Sequence, residues 1–286
     1  MRTATALAVV AVAALAAGAP AAESSGTGAS ALSAAKRVAS HGPRPAAGRA
    51  ERRAHSYVAR AFRHAGLRVV IQRFGVRGRG RSRNVIGVRR GRRRCLRIVM
   101  AHTDSAVGVG ANDNASGVGV LVGLAASLRR LGATCDTWLV ATGSEERIVT
   151  GAPDHLGALA LARKVRARRL ERRLRWALSL DEVGRDGFGG RAFWLRSTAR
   201  GPRRGVEGEL LRAARRARVP TRFERDRGDS NSDHREFGLL GMPAAKLGTG
   251  AAGEPCRHRP CDRAGRLVRL SLARAQRLVE RALRAR

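Results

Sequence analysis

The 286 residues and 43% hydrophobic content suit one large core in a single domain, two at most. The formal net charge of +35 comes almost wholly from arginine, the lysines being Lys36, Lys164 and Lys246. Such charge attracts nucleic acid, anionic lipid or an acidic cell envelope without specificity. With only 3% aromatics and no nucleic-acid motif, no base-stacking surface is visible, and the arginines read as a solvated basic exterior with no specific nucleic-acid partner.

Residues 1–21 read as a signal peptide, with Arg2 as the positive start, an apolar run from Leu7 to Ala17, and Ala19-Pro20-Ala21 offering small residues for cleavage near Ala21. That run is shorter than the roughly 20 residues of a membrane-spanning helix, so export to a secreted, extracellular location is expected without a transmembrane anchor. Residues 22–30 form a flexible lead, and 31–286 form one catalytic domain. Helices are expected over 31–41 and 47–65, separated by Gly42-Pro43-Arg44-Pro45. The β-branched runs 67–75 and 83–88, joined by a Gly/Arg-rich turn, predict a hairpin. Strands follow at 97–101, 137–141, 175–180, 191–195 and 244–247. Between and after them lie helices at 115–131, 154–173, 206–218 and 267–285. Strands alternating with helices imply an α/β sheet covered on both faces, and the hairpin makes that sheet mixed.

In such a fold, ligands sit beyond the carboxyl ends of the strands. The polar residues gather there. Strand 97–101 runs into His102-Thr103-Asp104, where the imidazole is a candidate metal ligand and Asp104 can hold its tautomer. Asn112-Asp113-Asn114 opens the helix at 115, and either Asp113 or Asn114 can serve as its cap. Strand 137–141 ends in Glu145-Glu146, adjacent carboxylates that can divide metal binding from general-base work. Strand 175–180 ends in Asp181-Glu182, and His258 lies between Cys256 and Cys261. Carboxylates and imidazoles at three strand ends suit zinc, and a set this large can hold two ions roughly 3.5–4 Å apart. Four cysteines in an exported chain favour disulfides, and Cys256 and Cys261 are near enough to close a local loop; zinc ligation by these thiols is the weaker reading.

From about Ser33 to Asp262 the chain resembles the di-zinc aminopeptidases of the zinc exopeptidases, the secreted bacterial aminopeptidase and aminopeptidase Y type. The motifs that carry the likeness are AHTDSAVGVGANDNASG, GSEE, LDEVG, SDHREF with GMPA, and CRHRPCD. The resemblance implies a three-layer α/β sandwich around a mixed, mostly parallel eight-stranded sheet. It implies two zinc ions per chain, with His102 and Asp181 on one, Glu146 and His258 on the other, and Asp113 bridging. Glu145 would be the general base and Asp104 would orient His102. The Ser232-Asp233-His234 stretch matches a structural part of the family, which favours His258 over His234 as ligand. Arg257 stands where members often carry a Tyr that steadies the oxyanion, so Arg257 becomes the candidate oxyanion or substrate contact. The likeness also places the strands beginning near Cys95 and Cys135 side by side, which pairs those cysteines, and it matches the loop closed by Cys256 and Cys261.

The activity so implied is a metallo-aminopeptidase, a hydrolase that cleaves the N-terminal peptide bond of peptides with a free N-terminus through a metal-activated water. Three alternatives stand beside it: a one-zinc glutaminyl-cyclase-like relative, a carboxypeptidase on the same scaffold, and a non-enzymatic basic envelope or nucleic-acid binder.

Overall fold

The computed structural model describes residues 28–147, 155–185, 193–197, 205–227, 231–250 and 253–285; the signal segment expected over 1–21 lies outside them. Period-2 alternation organises the centre. Along β3 (Arg93–His102), Val99 and Ala101 pack into one hydrophobic cluster, and Ile98 and Met100 into another on the opposite face. The same split recurs on β4 (Cys135–Thr142), with Leu139 and Ala141 on one side and Val140 on the other. It recurs again on β5 (Leu174–Asp181), with Trp176 and Leu178 facing one way and Ala177 the other. Strands buried on both faces must be apolar throughout, which is why these segments read as continuous hydrophobic runs.

The remaining strands are β1 (Arg68–Val76), β2 (Gly80–Arg89), β6 (Phe193–Ser197), β7 (Thr221–Arg225) and β8 (Ala244–Gly248). The eight form one mixed sheet in the order β1-β2-β4-β3-β5-β8-β6-β7. The β1–β2 hairpin is antiparallel and joins β4 antiparallel, while β4, β3, β5 and β8 run parallel to one another. Beyond them, β6 is antiparallel to β8 and parallel to β7. On one face lie α1 (Ala29–Ala39), α2 (Arg49–His64), α3 (Ser116–Leu131), α5 (Gly205–Arg216) and α7 (Arg269–Arg284). On the other lie α4 (Leu156–Ala167) and α6 (His234–Leu239), which makes the architecture a three-layer α/β sandwich.

Differences from the sequence reading have local causes. The first turn of α1 takes in Ala29 and Ser30, the end of the segment expected to be flexible, because Ala31, Ala34 and Ala35 bury against the core. The long basic helix expected over 154–173 stops at Ala167 and resumes as a 3-10 turn at Glu171–Arg173. The strand β7 and the six-residue α6 were not expected. Cys95 pairs with Cys135 across neighbouring parallel strands, Cys256 pairs with Cys261, and no cysteine is free for zinc. Among the described residues, no helix is long and apolar enough to cross a membrane.

Candidate metal centre

The parallel strands all deliver their carboxyl ends to one edge of the sheet. His102 is the last residue of β3 and Asp181 the last of β5, while β4 hands over through Thr142 to Glu145 and Glu146. Side chains from these ends, with Asp113 and His258 from flanking loops, line a cavity of about 610 Å³. Two positions let the backbone close in. A Cβ on Gly248 would come within 1.7 Å of the Asp181 carbonyl oxygen, and one on Gly117 within 2.5 Å of the Leu180 carbonyl oxygen. Glycine at these positions lets β8 and the start of α3 press against the end of β5.

Asp113 sits at the centre. Its Oδ1 lies 3.2 Å from Nε2 of His102, and its Oδ2 lies 3.2 Å from Nε2 of His258. Asp181 Oδ1 stands 3.7 Å from the same His102 nitrogen, and Glu146 Oε2 stands 3.1 Å from the same His258 nitrogen. Two triads result, His102–Asp113–Asp181 and Asp113–Glu146–His258, each with ligand-type atoms within 4.8 Å of one another; His102, Glu145 and Glu146 form a third such group. Asp181 Oδ1 is buried without a hydrogen-bond partner, although an oxygen deprived of water normally finds one.

Loops hold this set in place through their backbones. Asp104 accepts from the Glu145 amide at Oδ1 and the Glu146 amide at Oδ2, both at 3.0 Å. Its carboxylate therefore braces the Glu145–Glu146 turn, and its contact with His102 is longer, 3.7 Å from Nδ1. His102 Nδ1 also lies 3.3 Å from the Asp104 carbonyl oxygen, so Asp104 orients the ring with its backbone as much as with its side chain. Asp262 does the same service for Asp113, accepting from the Asn112 amide at 2.7 Å and the Asp113 amide at 3.0 Å. Asn114, not Asp113, caps α3: its Oδ1 accepts from the Gly117 amide at 3.0 Å, which leaves the Asp113 carboxylate free to face the histidines. The Asp113–Asn114 peptide is cis.

Burial alone would push every charge here toward its neutral form, so the departures measure the local fields. Burial pushes His102 down, but Glu145, Asp104, Asp113 and Asp181 together hold it well above the ordinary imidazole value. His258 is raised to about 10 by its bonds to Asp113 and Glu146. Glu146 is raised to about 7 by burial and by Asp113, and Glu145 is raised well above its usual range by burial and by Glu146, Asp181 and Asp233. Asp113 is held below the usual range despite burial, by the two histidines. Lys246 Nζ sits 2.7 Å from Asp181 Oδ2, and this ammonium, with His102, outweighs burial and holds Asp181 well below the carboxylate range.

All seven residues that the sequence pointed to around the metals, His102, Asp104, Asp113, Glu145, Glu146, Asp181 and His258, are thus brought together, six of them lining the cavity directly. Arg257 also lines it, bonded to Glu182 Oε2 and, at 3.0 Å, to Thr249 Oγ1. His234 lies elsewhere, fully buried with Nε2 3.4 Å from Asp226 Oδ2. The sequence reading missed three contributors. Lys246 interrupts an otherwise apolar buried strand, a signal that a charge is paired inside. His155 and Glu236 meet beside Glu145, and nothing in their spacing announces it.

A family model described as peptidase family M28 matches residues 84–283. No match is found among curated protein sequences. Among solved structures, the chain is similar to a zinc aminopeptidase from Bacillus subtilis, with a TM-score of 0.77, 17% identity, and 90% of this chain and 94% of that one covered. A leucine aminopeptidase precursor from Bacteroides thetaiotaomicron gives 0.77 at 19% identity, covering 91% and 97%. A glutaminyl cyclase from an Acidobacteriales bacterium gives 0.77 at 21%, covering 96% and 98%. Likeness at such identities speaks to the fold.

Proposed function

Because the chain belongs to peptidase family M28 and is a metallopeptidase, we propose that it is a secreted zinc aminopeptidase that removes the first residue of peptides with a free N-terminus. The observation that carries the reading is Asp113 dividing its two oxygens between His102 and His258. Two triads of hard oxygen and borderline nitrogen donors share one carboxylate there, and the buried Asp181 Oδ1 adds an acceptor without a hydrogen bond. His102, Asp113 and Asp181 would hold one zinc, and Asp113, Glu146 and His258 the other. Zinc in these positions supplies a Lewis acid for a carbonyl and makes water acidic near neutral pH.

The chain's own residues supply the rest. Glu145 borders the cavity, and its backbone amide is fixed by Asp104. Its carboxylate accepts the proton of the attacking water and returns it to the leaving amine nitrogen. The carboxylates that line the cavity, Asp113, Glu146 and Asp181 among them, would meet a free substrate amine. Arg257, beside His258, is the cation placed for the carbonyl oxygen as negative charge develops on it. Two disulfides suit an oxidising exterior.

Glu145→Gln should keep its zinc and lose about 10²–10⁴-fold in kcat, whereas Glu146→Gln should shed zinc. Zinc content and turnover on aminoacyl 4-nitroanilides measure both, and a Glu145→Gln variant at near-normal rate overturns the assignment. A one-zinc glutaminyl cyclase is the second reading, favoured by Lys246, whose ammonium occupies one oxygen of Asp181. One tight zinc per chain with cyclisation of glutaminyl peptides would select it.

A further inference from the structure

Beside Glu145 lies a buried imidazole that the proposed chemistry does not use. His155 immediately precedes α4, with a side chain 1% exposed. Its Nε2 is 3.5 Å from Glu145 Oε1, and its Nδ1 is 3.1 Å from Glu236 Oε1 on α6. Both carboxylates are 8% exposed, so Glu236, His155 and Glu145 form an unbroken buried row that ends at the cavity.

The backbone fixes the same row. The first amides of a helix have no partner within it. Here the amides of His155, Leu156 and Gly157 donate to the carbonyls of Glu145, Ser144 and Gly143, at 3.1, 3.0 and 3.1 Å. His155 therefore grips Glu145 twice, through its amide and through its ring. Gly157 is required for this closeness, since a Cβ there would meet the Gly143 carbonyl oxygen at 2.5 Å. Asp104 holds the amide of Glu145 from the other side.

We propose that His155, oriented by Glu236, is a positioning residue for Glu145: it pins Oε1 and leaves the other carboxylate oxygen to face the water. With Glu236 holding the ring from Nδ1, Nε2 stays against Glu145 Oε1, and the carboxyl is kept from swinging. A buried carboxylate–imidazole–carboxylate row is the general device for holding one group in one orientation. The proposal rests on the reading of Glu145 as proton acceptor.

The experiment compares His155→Leu, His155→Gln, Glu236→Gln, Glu145→Gln and the double variant Glu145→Gln/His155→Leu, each folded and zinc-loaded as judged by circular dichroism and zinc content. Leu keeps most of the volume and removes both ring nitrogens; Gln keeps a donor near Nε2. The expected result is a 10–100-fold fall in kcat for His155→Leu on an aminoacyl 4-nitroanilide, with KM within about threefold and zinc content unchanged. His155→Gln should recover much of that loss, and Glu236→Gln should show a smaller one, since it frees the ring without removing it. The double variant should be no slower than Glu145→Gln alone, because a residue that acts through Glu145 has nothing left to act on. If Glu145→Gln is inactive while His155→Leu keeps its full kcat, or if the double variant loses the product of the two single effects, the positioning role is overturned and the base stands. If Glu145→Gln itself keeps turnover, the base and the positioning role fall together. Should His155→Leu fail to fold, His155→Gln and Glu236→Gln decide alone: unchanged kcat in both refutes the proposal.

Discussion

Arg44 offers the most exacting test of how the centre is held. It comes from the Gly42-Pro43-Arg44-Pro45 stretch, is wholly buried, and donates from Nε to the Thr103 carbonyl at 2.6 Å and from Nη2 to the Gly110 carbonyl at 3.0 Å. Its Nη1 donates to the carbonyls of Val109 and, at 3.3 Å, of Gly42. Its own backbone amide donates to Ser105 Oγ at 3.0 Å, and its carbonyl accepts from the Ser105 amide at 3.1 Å. One side chain thus pins both ends of the loop between His102 and Asp113. Burial pushes its guanidinium down to about 10 against the pull of Asp104, Asp262, Asp113 and Glu146, so it is also a cation among buried carboxylates. Arg44→Met keeps the length and removes both roles. The three charge-assisted bonds to the loop, at Thr103, Val109 and Gly110, contribute about 1.5–3 kcal/mol each, about 5–9 kcal/mol together. Relief from burying the guanidinium returns several kcal/mol, which leaves a net loss of about 3–5 kcal/mol. At about 2–4 °C per kcal/mol, the metal-free protein should melt roughly 6–20 °C lower. Zinc should narrow the gap by about 1 kcal/mol or more, because it supplies the positive charge that Arg44 no longer does. Calorimetry of both proteins in chelator and in saturating zinc measures this. A loss under 1 kcal/mol in chelator, or a larger loss with zinc than without, refutes the reasoning.

Two further outcomes follow from buried groups outside the cavity. Burial, then the Arg83 charge, pushes His55 down to about 3, so the folded protein keeps it neutral while the unfolded chain protonates it below about 6.5. At this residue the unfolded state then binds more protons between those values, which contributes a fall in stability with acidification of about 1.4 kcal/mol per pH unit below 6.5; urea unfolding of the wild type and His55→Gln from pH 7.5 to 5 should differ by that slope, the groups common to both cancelling. The Cys95–Cys135 bridge spans 40 residues and Cys256–Cys261 spans 5, so chain entropy gives about 4 and about 2 kcal/mol respectively. Paired alanine variants should unfold in that order of urea midpoint, and the short-loop variant, whose loop carries His258, should be the one that loses zinc on dialysis.

How much of this was legible in the residues depends on the range of the forces involved. Strands β3, β4 and β5 announced themselves because strands buried on both faces must be apolar, and the residues where each run turns polar are those that reach the cavity. His102, Glu145, Glu146 and Asp181 were therefore visible as strand endings before any contact was known. Asp113 was ambiguous, since a short carboxylate before a helix is an ordinary cap; only the contact of Asn114 Oδ1 with the Gly117 amide assigns the capping to its neighbour. The edge strand β7 reads Thr-Arg-Phe-Glu-Arg and is held by pairing with β6, not by an apolar face, so no hydrophobic period marks it. The helix α6 is shorter than two turns and gives no helical period either.

The contacts that were illegible are the ones made across elements far apart in the chain. Arg44 bonds to carbonyls 59 to 66 residues away, and His155 meets Glu236 across 81. Carbonyls carry no residue identity, so a side chain that satisfies them leaves no motif. Buried charges are the exception that sequence can expose. Lys246 sits between Ala245 and Leu247 in a strand buried at every position, and an ammonium survives there only with a partner anion. Its 2.7 Å contact with Asp181 Oδ2 takes one oxygen of a carboxylate whose other oxygen has no partner. Fixed cations therefore flank both triads around Asp113: the Lys246 ammonium at Asp181 and the Arg257 guanidinium, paired with Glu182, beside His258.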